Sequence, residues 1–338
     1  MKQLKTLGFT ASLFLILTAQ SWGASPFQVL PWNGSKAAIS LTFDDGDPIH
    51  LDLAIPELDK RGLKGTFFLI AGKLDRQADW QKAAKEGHEI GNHSWDHKHL
   101  SEYGAGDFQK EVAASRQTLE KMTGKPVLAY AYPFFEKNAE LETVVDQNAF
   151  IARGGYGNFI MKPDNDVDWD FIPCRTAMTS VDLETYQQWV DLALAQGGWS
   201  VFLIHGIEGT PWGFSPIPKK TYTGILDHLV LKKKEIWVAS FGEIGAYWKA
   251  QKILEVVKPK QIGAAINWVW QKPAIFPTGV ILKMRIDGAG IQASQGKQLL
   301  TPTTEGLYSI SFDAGNLSVQ NAPWKVSDLT SDLPPSPP

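Results

Sequence analysis

Apolar positions along this chain follow two rhythms. Residues 39–43, 65–70, 127–132, 150–153, 199–204 and 235–239 are short, nearly continuous apolar runs, which read as strands covered on both faces. A shorter run at 88–91 joins them. Between the runs lie segments with apolar residues three and four apart: 51–60, 80–85, 108–122, 139–146, 183–195, 222–231 and 244–252. These read as helices. Val112, Leu119 and Met122 share one face of the 108–122 segment, and Gly124 and Pro126 end it. Ser180 is placed to cap the helix at 183–195. Strands alternating with helices predict an α/β fold with a mostly parallel sheet. The expectation is a distorted (β/α) barrel of seven or eight strands. The irregular polar stretch 154–170 is read as a loop over the barrel mouth.

Beyond about Pro259 the helical period disappears. Residues 280–286 and 307–312 are short strand candidates separated by Gly-rich turns, which predicts a small antiparallel β domain. The expected organisation is a signal peptide over 1–23, a barrel over 24–257, a small β-rich domain over 258–331 and a disordered tail over 332–338. Lys2 and Lys5, the apolar core at 13–17 and the small-x-small site Ser21-Trp22-Gly23 have the layout of an export signal. The address they imply is periplasmic or secreted, with no stable membrane insertion because that core is too short to span a bilayer.

Composition narrows the function classes. A net charge of −3 with mixed signs lacks the clustered basic face of a nucleic-acid binder. Cys174 is the only cysteine, so no intrachain disulfide forms, and the thiol reads as a small buried apolar group. Most of the thirteen tryptophans read as core, although flat aromatic faces also suit sugar rings. The pattern leaves the oligomeric state open.

The chemistry gathers just past the strand ends: Asp44 and Asp45, His93, Pro133, Arg153 and His205. That is the end at which β/α barrels carry their sites. Adjacent residues on an extended chain point to opposite sides, so Asp44 and Asp45 are free to do different work. His93 and His97 stand four apart and would face the same way on a helical turn. Asp45, His93 and His97 then supply two imidazoles and a carboxylate, leaving an open coordination position as a catalytic zinc site requires. Asp44 is left over as the base, and His205, with an ordinary pKa near physiological pH, as the acid. His88 is read as an outer support for the site, and His50, His99 and His228 as surface residues.

Thr42-Phe43-Asp44-Asp45-Gly46, Gly87-His88-Glu89-Ile90-Gly91-Asn92-His93-Ser94 with His97, Tyr132-Pro133-Phe134 and Leu203-Ile204-His205 resemble the ordered motifs of the polysaccharide deacetylases. These are NodB-type, metal-dependent carbohydrate esterases that remove acetyl groups from N-acetylglucosamine glycans or from xylan. The resemblance spans roughly residues 36–250. It implies Asp44 as catalytic base, Asp45, His93 and His97 as metal ligands, usually for Zn2+ although another divalent transition metal is possible, and His205 as acid. The Phe134 backbone N–H would serve the oxyanion, and an acetylated glycan or oligosaccharide would be the substrate. Three departures stand out. Ala131 occupies the place of an arginine that braces the catalytic aspartate, a task that Arg153 or Arg175 would have to assume. Asp168-Trp169 matches the fourth motif only loosely, with Trp169 as a substrate contact. Phe135 replaces a glycine and would reshape the cleft. The same machinery would serve O-acetyl esters on a xylan-like glycan. A rival of another class is a catalytically inactive carbohydrate-binding protein, which retention of all five reacting residues disfavours. Paired-carboxylate glycoside hydrolysis needs acids about 5–9.5 Å apart across a sugar, and adjacent aspartates beside histidines suit a metal better.

Overall fold

A computed structural model of the chain describes residues 27–320, except 105, 156, 158, 211–213, 288, 289 and 305. The signal peptide and the tail expected at 1–23 and 332–338 lie outside the described residues. Strand β1 (Phe27–Val29) is followed by β2 (Ala37–Phe43), β3 (Thr66–Leu69), β4 (Glu89–Asn92), β5 (Ala129–Ala131), β6 (Ile151–Arg153), β7 (Arg175–Thr176), β8 (Trp199–Ile204) and β9 (Ile236–Val238). Hydrogen-bonded neighbours run β6-β5-β4-β3-β2-β8-β7, all parallel, and β9 pairs with the first half of β2. Helices α1 (Ile55–Asp59), α2 (Gln77–Lys85), α3 (Ser115–Thr123), α4 (Ala139–Asp146), α5 (Leu183–Gln196), α6 (Lys219–Lys232) and α7 (Phe241–Val256) surround this sheet.

One continuous segment curls the sheet into a distorted barrel. Residues 169–172 run beside β6, with Ala152 N donating to Trp169 O, Ile172 N to Ala152 O and Gly154 N to Ile172 O, each at 2.8 Å. A few residues later the same segment, as β7, pairs with β8 in the register Arg175↔Phe202 and Thr176↔Leu203. The two sheet edges are therefore joined through residues 169–176. A two-residue strand after a proline carries no readable period, so the sequence reading passes over it. Strand β2 is the spine: all seven of its residues are buried. Leu41 and Phe43 pack outward against Leu58, Phe67 and Tyr222. Thr42 and Ser40 are satisfied by bonds to Phe202 O at 2.8 Å and from Trp199 Nε1 at 3.1 Å.

Several boundaries move for identifiable reasons. The helix expected over 108–122 begins with a wider π turn at Gln109–Ala114 before α3. Asp182, not Ser180, caps α5, accepting Thr185 N at 2.9 Å. Helix α7 exceeds the expected 244–252 at both ends because it is buried on nearly every side, which erases the amphipathic period that marks a surface helix. Its first turn sits at the barrel base, where Phe241 N donates to Thr66 Oγ1 at 2.8 Å and Gly242 N to Glu89 Oε2 at 2.8 Å. Thr66 and Glu89 are the first residues of β3 and β4, so α7 closes the end opposite the motif loops.

The remainder is antiparallel. Strands β10 (Lys260–Ile262), β11 (Ala265–Val269), β12 (Ile281–Ile286), β13 (Gln292–Gln295), β14 (Gln298–Leu299), β15 (Leu307–Ser311) and β16 (Asn316–Gln320) form a five-stranded sheet, β10-β11-β16-β13-β14, and a three-stranded one, β1-β12-β15. Strand β1, which the sequence reading counts with the barrel, pairs with β12 (Phe27↔Ile286). Trp268, Met284, Ile310 and Phe312 of this layer share one continuous apolar core with Trp248 and Leu254 of α7.

Candidate active site

Five of the motif residues, Asp44, Asp45, His93, His97 and His205, meet at the C-terminal end of the barrel. Strand β2 hands over at Phe43, which pairs with Ile204 of β8, so Asp44 and His205 each stand one residue beyond a shared rung. Asp45 turns the chain with φ +73°, followed by Gly46 at +69°. Aspartate tolerates this left-handed conformation better than most residues. The turn separates the two carboxylates: Asp44 points into the barrel and is almost fully buried, while Asp45 stays at the rim.

The histidine loop is not the helical turn that its spacing suggested. Ser94 and His97 have φ of +67° and +55°, and side chains brace the loop from outside. Asn92 Oδ1 accepts Ser94 N at 3.0 Å, and Ser94 Oγ accepts His97 N at 3.0 Å. The buried Glu111 carboxylate takes Trp95 N and Asp96 N, both at 3.0 Å, together with the Tyr103 hydroxyl at 3.1 Å. Nδ1 of His93 lies 2.9 Å from Ala131 O, a contact that fixes it as the N–H donor and leaves Nε2 with its lone pair.

That lone pair faces acids. Nε2 of His93 is 3.5 Å from Asp45 Oδ1 and 3.5 Å from Asp44 Oδ2, and Nε2 of His97 is 3.4 Å from Asp45 Oδ1. One ligand atom from each of Asp45, His93 and His97 falls within 4.8 Å of the others. Asp45 Oδ1 is buried with no hydrogen-bond partner. An orphaned carboxylate oxygen beside two imidazole lone pairs is costly unless a cation sits among them, so this donor set fits a divalent metal. Burial, and then the charge of His97, hold His93 well below its ordinary pKa, keeping it in the neutral form that binds metals.

Asp44 is held by Arg153. Nη2 donates to Asp44 Oδ2 at 2.5 Å, and both side chains are closed to solvent. Arg153 pairs in register with Ala131, so the arginine missing from the Tyr-Pro-Phe motif is supplied from the neighbouring strand at the same height. Arg175, the other candidate, faces the outer wall between Phe159 and Trp189. Asp44 Oδ1 remains buried without a partner. Phe135 does not project into the cleft: its ring lies 5.8 Å from the Arg153 guanidinium and so close to Gly155 that an added Cβ there would come within 2.3 Å. Gly155 is the compensation for the aromatic residue.

Phe134 (φ +52°) presents its half-exposed ring at the rim, stacked on His99 at 3.7 Å and edge-on to His97 at 4.6 Å. The turn's hydrogen bonds run from Phe135 N to Tyr132 O and from Glu136 N to Pro133 O, and neither uses the Phe134 N–H. On the opposite rim the exposed ring of Phe214 meets His205 edge-on at 4.7 Å. Burial pushes the His205 pKa down, while the Asp44 and Asp45 charges pull it up. Its Nδ1 is buried without a partner.

Three expectations about side chains change. His50 is fully buried, not at the surface, and its Nε2 lies 2.6 Å from His205 O. It is a support for the site that sequence reasoning missed, since a histidine after a turn carries no sign of burial. His88 directly precedes β4 at the far end of the barrel, 3.1 Å from Asp59 on the outer wall, and so supports nothing at the mouth. Trp169 packs edge-on against Trp248 of α7 at 5.3 Å. The closing segment runs parallel to β6, which puts Trp169 level with its start at the barrel base, away from Asp45, His93 and His97.

Residues 33–150 match the model of the family described as polysaccharide deacetylase. A peptidoglycan-N-acetylglucosamine deacetylase of Bacillus cereus is 27% identical over 154 residues, covering 45% of this chain and 52% of the relative. The chain thus spans about half the length of that relative. A chitin deacetylase of Pestalotiopsis sp is 29% identical over 213 residues, covering 59% of this chain and 66% of the relative. Among solved structures, the peptidoglycan deacetylase PdaC of Bacillus subtilis superposes with a TM-score of 0.43 and 21% identity, over 66% of this chain and 96% of that one.

Proposed function

Because this chain belongs to the polysaccharide deacetylase family, we propose that it is an exported, zinc-dependent hydrolase that removes acetyl groups from an N-acetylglucosamine-type glycan. The observation that carries this reading is the Asp45–His93–His97 donor set, with Asp44 beside it and His205 on the adjoining strand end. Asp45, His93 and His97 would hold the ion, and when bound it supplies Lewis acidity that makes water a nucleophile near neutral pH.

The chain's own groups divide the remaining work. Arg153 occupies Oδ2 of Asp44, so the free Oδ1 is the atom that takes the proton from the attacking water. The Phe134 N–H stands ready for the oxygen that gains charge at the acetyl carbon, a role that a backbone donor fills whatever its side chain. His205, steadied through its carbonyl by His50, donates a proton to the nitrogen as the C–N bond breaks. Acetate and a glycan amine are the products. Rim rings at Phe134 and Phe214 offer apolar faces to sugar units. The export signal read at the N-terminus would carry the site out of the cytoplasm, to the periplasm or the medium. Among the described residues no helix is long and apolar enough to cross a membrane.

The test is acetate release from tetra-N-acetyl chito-oligosaccharide and from acetylated xylan. Release from the first exceeding release from the second supports the amide reading. The reverse order assigns the protein to O-acetyl esters, and release from neither contradicts the proposal.

A further inference from the structure

A second cavity lies at the other end of the barrel. A cleft of about 670 Å³ separates the barrel base from the β1-β12-β15 sheet, within the 300–1,000 Å³ typical of ligand sites and at the kind of junction where they concentrate. One wall comes from the barrel side: Trp237 of β9, Glu243 in the first turn of α7, and Asn33. The other comes from the sheet, where Ile281 and Lys283 alternate outward from the buried Leu282 and Met284, and Ser309 stands opposite Lys283 in register.

The lining has two characters. Trp237 is partly exposed, its ring held edge-on by Tyr247 at 5.4 Å, and Ile281 is 50% exposed. Around them stand two carboxylates (Glu89, Glu243), two lysines (Lys125, Lys283), two hydroxyls (Thr278, Ser309) and the Asn33 amide. Trp32 and Asn33 both adopt positive φ, +49° and +55°, a conformation uncommon outside glycine and of the kind found at ligand sites. A flat apolar face edged by hydrogen-bonding groups of both signs, with no net excess of charge, matches a neutral, hydroxyl-rich ring.

We infer that this cleft is a second, non-catalytic site for a neutral glycan chain, holding the polymer while the barrel mouth acts on it. The inference rests on the proposed glycan substrate. Its effect is one of local concentration: a chain held at the base presents further units to the mouth without any new contact there.

The test uses the full chain carrying Asp44→Asn and loaded with zinc, titrated calorimetrically with tetra-N-acetyl chito-oligosaccharide. Ser309→Trp and Thr278→Trp, both at exposed cleft positions, then fill the cleft without removing packing, and the unfolding midpoint checks that each variant is folded. Each is expected to bind one molecule fewer per chain than its parent. Equal stoichiometry in parent and variants, including none in both, overturns the inference. Acetate release by the unmodified chain decides the substrate reading separately: release without cleft binding removes only this inference.

Discussion

Replacing Arg153 by Met tests the arrangement that most distinguishes this site. The guanidinium is fully enclosed, Asp44 is nearly so, and they meet at 2.5 Å. Met preserves most of the bulk, so the change removes charge and hydrogen bonds more than volume. Breaking a buried pair by deleting one partner costs about 3–5 kcal/mol, because the remaining charge is stranded. Asp44 Oδ1 already lacks a partner, so the carboxylate cannot shift its load to another donor. The cation–π contact with Phe68 at 5.2 Å is lost as well. Adding Asp44→Asn to Arg153→Met removes the stranded charge, and the double variant should recover roughly 0.5–3 kcal/mol as a coupling energy. Denaturant unfolding of wild type, both single variants and the double variant, all with saturating zinc, measures this. A loss below about 1 kcal/mol for Arg153→Met, or strict additivity in the cycle, would refute the claim that the pair is a buried, mutually dependent unit.

Other consequences are as specific. His205→Gln should slow release from an acetamide by about 10²–10⁴-fold but penalise an aryl acetate much less, since that leaving group needs little protonation; equal penalties would make the residue structural. Glu111→Ala removes the acceptor for Trp95 N, Asp96 N and the Tyr103 hydroxyl, so zinc affinity should fall about 10–100-fold, and an unchanged dissociation constant in a chelator competition would contradict that role. Asp170, half-buried beside Asp146, has its carboxyl pushed up to about 6, first by burial and then by Asp146. A raised carboxyl pKa means that the ionised form burdens the fold at high pH. Asp170→Asn should therefore stabilise by on the order of 1–2 kcal/mol at pH 7.5, after discounting for solvent, with the gain fading as pH falls through 6 toward 4. A gain independent of pH would rule the titration out.

The cluster of Asp44, Asp45, His93 and His97 was legible because its signals are local: adjacent aspartates after a buried strand, and two histidines four apart. The route by which the histidines converge was not. A helical turn would have sufficed, but Asn92 and Glu111 hold the loop in a left-handed path, and Glu111 belongs to another element whose approach no spacing reveals. Choosing between Arg153 and Arg175 needed strand register: 153 faces the barrel interior and 175 the outer wall. Trp169 fell at the wrong end because the direction of the closing segment is a tertiary fact. His50 shows the same limit, its partner lying 155 residues away in sequence. Helix α7 was underestimated for the opposite reason, since burial on all sides removes the very contrast that marks a helix.

The most direct test of the central claim compares the neighbouring aspartates. Zinc content and acetate release from tetra-N-acetyl chito-oligosaccharide are measured for wild type, Asp44→Asn and Asp45→Asn after chelation and re-addition of stoichiometric zinc. Wild type should regain about one zinc and its activity. Asp44→Asn should regain the zinc with turnover lower by about 10²-fold or more, and Asp45→Asn should fail to hold it. Full turnover by chelated, verified metal-free wild type, or equal zinc loss in both variants, would contradict the account.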